Sequence, residues 1–180
     1  LGCSLGACTL AMSTIAIARR CQIHAVDNSP AMLTQAQSNC TKLQPEAHIE
    51  FYCQDIAEVF INNASMAVLN FTLQFIKLQQ RDAVIAKIAQ GMLPGGVLVL
   101  SEKIHAENES HNQLLQRLHT GFKRANHYTD LEIAQKRMAL EDMMILETVA
   151  AHRSRLLNHG FKRVELLLQA LNFVTLVAFK

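Results

Sequence analysis

The chain has 180 residues, half of them apolar, with a net charge of +2. That length is enough for one domain with a real core, and the composition is neither disordered nor fibrous. The charge is too small to argue for a nucleic-acid partner, and no apolar run reaches the length of a membrane span.

Leu1–Ala7 reads as a glycine-rich turn, and 8–20 as a helix. A turn of this type normally follows a strand. The sequence is therefore expected to be a piece of a longer protein whose first strand precedes Leu1, and no signal peptide is visible. Residues 22–26 read as a short strand ending at Asp27. Ser29 is a good N-cap with Pro30 at the first helical position, so a helix should run to about Lys42. A second strand is expected over 48–52 and a buried strand over 64–71. Val84, Ile85, Ile88 and Met92 share one face of a helix predicted over 79–92. Leu93-Pro94-Gly95-Gly96 is a strong turn signal before an apolar strand at 97–100. Two helical stretches follow, 107–124 and 130–157, with no strand between them. The chain closes with two β runs, 164–170 and 173–179, whose short polar break predicts an antiparallel pair.

Alternating strands and helices argue for a doubly wound α/β sheet. The expected architecture is one domain over 1–180, a mostly parallel sheet with an antiparallel C-terminal hairpin and a helical insertion at about 105–157. The cysteines (Cys3, Cys8, Cys21, Cys40, Cys53) form no C-x-x-C pair. They read as buried reduced thiols of a cytosolic protein rather than a disulfide framework or zinc site. No metal is expected.

Ligands of such sheets bind beyond the carboxyl ends of the strands. Gly2, Cys3 and Ser4 lie in a turn whose glycines admit close backbone approach; a plain tight turn is the alternative. Asp27 is placed to accept two ribose hydroxyls, with Asn28 beside it; otherwise it caps the helix begun at Ser29. Asp55 could accept an adenine amino proton while Ile56 covers the ring, or could be a loop carboxylate in water. Asn70 ends an apolar strand, where a polar group is costly unless bonded. The turn is G-x-x-x-G, with Ser4 where a dinucleotide fold needs its second glycine, and this favours S-adenosylmethionine over NAD.

The strings Leu1–Ala7, Asp27–Met32, Asn63–Met66, Leu69–Phe75, Leu98–Lys103, Phe122–Asn126 and Gln135–Arg137 closely resemble the carboxy-S-adenosyl-L-methionine synthase family, over the whole chain. The resemblance implies a Rossmann-like class I methyltransferase fold. It implies conversion of S-adenosyl-L-methionine and prephenate into carboxy-S-adenosyl-L-methionine and phenylpyruvate. The product would be used by a separate enzyme that carboxymethylates the tRNA wobble uridine. By the same resemblance Gly2, Cys3 and Ser4 line the methionine end, and Asp27 and Asn28 hold the ribose. Asp55 and Ile56 contact adenine, Asn70 lies near the sulfonium, and Arg137 pairs with the added carboxylate. A bacterial, cytoplasmic homodimer is implied, without direct nucleic-acid or membrane binding.

The chemistry is consistent with the residues. A sulfonium acidifies its methyl group, and loss of carbon dioxide from prephenate can supply both a base and the carboxyl carbon. Such a reaction needs a dry pocket and a cation more than a protein nucleophile, and neither a nucleophilic triad nor a metal spacing is present in the sequence. Two other readings stay open: an ordinary methyltransferase, or an inactive cofactor-binding or dimerisation module. The basic stretches 122–124 and 152–155 could suggest RNA contact, but with acids interspersed nearby they read as solvated helix faces, or in part as a means of steering dianionic prephenate.

Overall fold

The structure is a computed structural model, and it describes residues 1–141 and 143–180. The elements in chain order are α1 (Ala7–Arg19), β1 (Ile23–Asp27), α2 (Pro30–Leu43), β2 (Ile49–Cys53), β3 (Ala64–Asn70), a 3₁₀ turn (Leu73–Phe75), α3 (Leu78–Gly91), β4 (Met92–Lys103), α4 (Glu109–Ala125), α5 (Asp130–Glu141), α6 (Val149–Asn158), β5 (Arg163–Ala170) and β6 (Phe173–Phe179).

The strands form two hydrogen-bonded sets. β1 and β2 are parallel, and the other four lie in the order β3-β4-β6-β5. In the larger set β3 and β4 are parallel, whereas β6 runs antiparallel to both β4 and β5. This is the mixed α/β architecture expected, with its antiparallel C-terminal hairpin, although the two sets are not one continuous ladder. The first residues bridge them. The Gly2 and Cys3 amides donate to Val26 O at 2.8 and 2.9 Å, and the Leu1 amine donates to Val68 O at 2.9 Å.

Local sequence explains the elements. Ser29 caps α2 by accepting from the Met32 amide, and Pro30 opens the helix where its missing N–H costs nothing. Thr148 caps α6 and Asn108 caps α4 in the same way. The expected turn at Leu93–Gly96 is an excursion within β4. As β3 advances from Ala64 to Met66, its partner advances from Met92 to Val97. Gly95 takes φ +78°, which glycine tolerates.

The stretch 130–157 is not one helix. α5 ends at Glu141, and Ile145 and Leu146 belong to no helix or strand, with an isolated parallel bridge from Glu147 to Ile104. The Thr148 cap then starts a separate helix, which packs on α3, β5 and β6. Helical periodicity could not reveal the break, because it depends on partners elsewhere in the chain.

The core lies between the larger sheet, α3 and α6. Leu69, Leu73, Ile85, Ile88, Leu98, Leu100, Leu156 and Leu176 are all at most 1% exposed. Of the cysteines only Cys40 is buried, while Cys21 and Cys53 are exposed and all five are free thiols. The expectation of buried thiols thus holds at one position. Among the described residues, no helix is long and apolar enough to cross a membrane.

Candidate ligand site

Beyond the carboxyl ends of β1, β2 and β3 lies a cavity of about 570 Å³, lined by Gly2, Ser4, Asp27, Asn28, Asp55, Ile56 and Asn70. Its far wall is Phe71, Thr72, Phe75, Ile76, Lys77 and Gln80, with Ala57 beside Ile56. Seven of the nine residues singled out from the sequence are thereby brought together. Cys3 does not line this cavity. Its amide bonds Val26 O while its half-buried side chain lies outside the lining. Arg137 lines a separate groove between α4 and α5 with Gln113, Gln116, Arg117, Thr120 and Arg124.

The glycine turn owes its shape to two close approaches. Gly2 has φ +70°, and a Cβ there would lie 2.5 Å from Thr72 Oγ1 and Cγ2. Gly6 has φ +85°, and a Cβ there would press at 3.2–3.3 Å on Ala36 and the Cys40 thiol of α2. Each position therefore needs glycine for backbone conformation and for space.

Asp27 fastens the turn to β1. Its carboxylate accepts the Ser4 amide at 2.8 Å and the Ser29 amide at 3.0 Å, one on each oxygen. The capping alternative is thus half right, but the cap proper is the Ser29 hydroxyl. Each Asp27 oxygen keeps acceptor capacity, enough to receive a vicinal diol. Asp55 binds the Ala57 amide at 2.8 Å, which fixes its loop and leaves Oδ2 available. Among the described residues, the exposed Asn70 amide has no side-chain hydrogen bond, so it can serve a ligand at the mouth of the cavity. These donors and acceptors suit an adenosine: a diol acceptor, a polar group for the base edge, and Ile56 for its face.

The far wall rests on a buried polar network that sequence reasoning missed. Glu102 of β4 is fully buried, and its carboxylate accepts three successive amides: Thr72 at 3.1 Å, Leu73 at 2.7 Å and Gln74 at 3.0 Å. Burial pushes this carboxyl up to about 7, although the three amides and the Arg81 charge pull the other way. Immediately before these amides, Phe71 sits at φ +55°, a left-handed conformation that costs a bulky residue about 1–3 kcal/mol. The Phe71 amide bonds Ser101 O at 2.7 Å, and its ring meets Phe173 edge-on at 5.7 Å.

Arg81 of α3 holds the other end of this wall. It is fully buried and donates to Ile76 O at 2.8 Å, Gln74 O at 3.2 Å, Ile145 O at 2.7 Å and the Glu147 carboxylate. Glu147 also receives Arg155 through two bonds of 2.8 and 2.7 Å. Burial alone would raise the Glu147 carboxyl, but the two guanidiniums bring it down to about 2. The basic stretch at 152–155 is therefore not simply a solvated face, since His152 is buried and Arg155 is engaged with Glu147 and Asp82. In the other stretch, Arg124 pairs with Asp130 at 2.8 Å, in the open. The signal for the missed network was a lone acid, Glu102, closing the apolar run Val97–Leu100.

Comparison with known proteins bears on the family and the fold. Residues 1–96 match the family model described as a methyltransferase domain. The carboxy-S-adenosyl-L-methionine synthase of Geobacter sp. (strain M21) is 51% identical over 181 residues, which is all of this chain and 74% of that protein. The enzyme of the same name from Shewanella oneidensis is 48% identical over 180 residues, with the same coverage. Among solved structures, a putative O-methyltransferase from Nostoc punctiforme superposes with a TM-score of 0.70 at 18% identity, covering 99% of this chain and 50% of that one. Magnesium protoporphyrin IX methyltransferase from Synechocystis with bound SAM gives 0.65 at 15% identity, covering 99% and 67%. The fold is that of these methyltransferases.

Proposed function

The chain belongs to the carboxy-S-adenosyl-L-methionine synthase family, and on that premise we propose that it converts S-adenosyl-L-methionine and prephenate into carboxy-S-adenosyl-L-methionine and phenylpyruvate. The observation that carries this reading is the cavity itself, where Gly2, Ser4, Asp27, Asn28, Asp55, Ile56 and Asn70 converge. When bound, the nucleotide would supply a sulfonium whose acidified methyl group can give up a proton and bond the carbon dioxide released from prephenate, the proton leaving as water with the hydroxyl that prephenate loses.

The residues of this chain bind and orient. The Gly2 turn lets the backbone come close to the methionine end. Asp27 receives the ribose hydroxyls, with its position fixed by Ser4 and Ser29. Asp55 and Ile56 take the adenine, and Asn70 stands next to the sulfonium. Phe71, Phe75 and Ile76 exclude water from the reacting end. Arg137 is assigned to the new carboxylate because a guanidinium grips that group through two parallel bonds. It lies in a groove with Arg117 and Arg124, so this assignment requires α5, or a second copy of the chain, to bring it to the cavity.

We further propose a cytoplasmic homodimer whose product is passed to a separate tRNA carboxymethyltransferase. The exposed Leu114, Leu118 and Phe122 of α4 and Leu131 and Met138 of α5 support self-association. The test is to incubate the protein with S-adenosylmethionine and prephenate and read the products by mass spectrometry. A nucleotide heavier by one carbon dioxide, formed together with phenylpyruvate, is expected. S-adenosylhomocysteine in its place would make the protein an ordinary methyltransferase, and no turnover would leave a binding module.

A further inference from the structure

We propose that Glu102 is a positioning residue: by accepting the amides of Thr72, Leu73 and Gln74, its carboxylate holds the Asn70–Phe75 wall in the shape that receives the nucleotide. The inference rests on the cavity being the nucleotide site, as proposed above, and assigns a role to a residue that does not touch it.

The segment needs such a holder. Phe71 occupies a left-handed conformation that a phenylalanine rarely adopts without support. Two neighbouring residues of β4 provide that support from either side. Ser101 O accepts the Phe71 amide at 2.7 Å, and Glu102 accepts the next three amides at 2.7–3.1 Å. Those amides open a single 3₁₀ turn, Leu73–Phe75, too short to be stable by itself. Thr72, held in this way, packs against Gly2 and donates its hydroxyl to Leu1 O at 3.2 Å. The carboxylate therefore fixes the far wall and its seam with the glycine turn. The three amides converge on both oxygens of the group, Thr72 and Leu73 on Oε1 and Gln74 on Oε2. A carboxylate offers two acceptor oxygens, whereas an amide side chain offers one and sets a donor NH₂ in the place of the other.

The test compares Glu102→Gln with Leu156→Ala, a core truncation on α6 away from the cavity, at a temperature well below both melting midpoints. Glu102→Gln keeps the shape but presents an NH₂ group to donors. It should weaken S-adenosylhomocysteine and S-adenosylmethionine binding about tenfold by calorimetry, a loss of one charge-assisted hydrogen bond. Leu156→Ala, though also destabilised, should bind within about twofold of the wild type. Native-state hydrogen exchange on the ligand-free wild type gives a second measurement that does not depend on the variant folding. The amides of Thr72, Leu73 and Gln74 should be protected as strongly as those of β4. Unchanged binding by Glu102→Gln, equal losses in both variants, or fast exchange at the three amides would each overturn the role of Glu102. A wild type that binds neither nucleotide would overturn the cavity assignment, and this inference with it.

Discussion

Replacing Arg81 with methionine should destabilise the protein by about 2–4 kcal/mol. The guanidinium is fully buried and joins three parts of the chain: the 74–77 wall, α3 and the connecting segment at 145–147. In Arg81→Met the carbonyls of Ile76 and Ile145 lose this charged donor. Gln74 O keeps the Ile145 amide at 2.8 Å, and Glu147 keeps both bonds to Arg155. Two half-buried carbonyls at roughly 1–1.5 kcal/mol each, plus partial loss of compensation at Glu147, give the range stated. Methionine fills much of the volume and removes a desolvated charge, which offsets part of the roughly 3–5 kcal/mol typical of an orphaned buried ion. Glu147→Gln should be the more damaging change, because it leaves two guanidiniums facing a neutral group. Urea denaturation is the assay, with the midpoint falling at unchanged slope and a drop in Tm of about 5–15 °C for a chain of this size. A loss below about 1 kcal/mol for Arg81→Met would refute the reasoning, since the network would then be no better than packed apolar side chains.

Asp27→Ala should weaken S-adenosylmethionine binding by about 1.5–3 kcal/mol, read by calorimetry; an unchanged dissociation constant would reduce Asp27 to an anchor for the Ser4 and Ser29 amides. Arg137→Ala should weaken carboxy-S-adenosylmethionine binding by at least about 2 kcal/mol and spare S-adenosylmethionine, with Arg137→Lys intermediate; equal losses for both ligands would return Arg137 to a role in the fold. His152 is 2% exposed, and burial holds its imidazole down to about 4. Its folded pKa lies below the unfolded 6.5, so its stability contribution is fully present above pH 6.5. It is lost as pH falls toward 4, by up to about 3 kcal/mol. Stability against pH should therefore be flatter between pH 6.5 and 4 in His152→Leu than in the wild type, and identical slopes would show that the imidazole takes up its proton in place. Glu147, depressed to about 2, contributes a further loss from pH 4.5 down to 2, which Glu147→Gln should abolish.

The strands and helices could be read from sequence because each advertises itself locally. The Ser29–Pro30 cap, the Gly2–Gly6 turn and the apolar runs at 64–70 and 97–100 all name their elements without tertiary help. The near wall of the cavity was legible for a related reason: in an alternating α/β chain the residue after each strand points toward the ligand, so Asp27, Asp55 and Asn70 follow from strand ends. The far wall did not follow, because its shape depends on Glu102 and Arg81, whose partners lie about 30 and 66 residues away. The break between α5 and α6 was hidden by the same kind of long-range pairing, through Glu147.

The placing of β6 has a consequence for how the chain reaches its native state. This strand is last in sequence but interior in its sheet, with β4 on one side and β5 on the other. During synthesis β4 must therefore wait, one edge unpaired and rich in valine and leucine, until α4, α5, α6 and β5 have all emerged. The N-terminal half can form its parallel pairs early, while closure of the larger sheet carries a long-loop entropic penalty. In that interval the nascent chain exposes a template for pairing with the wrong neighbour. A translation pause just before Phe173 should thus favour aggregation, whereas a pause of the same length before β4 has emerged should not.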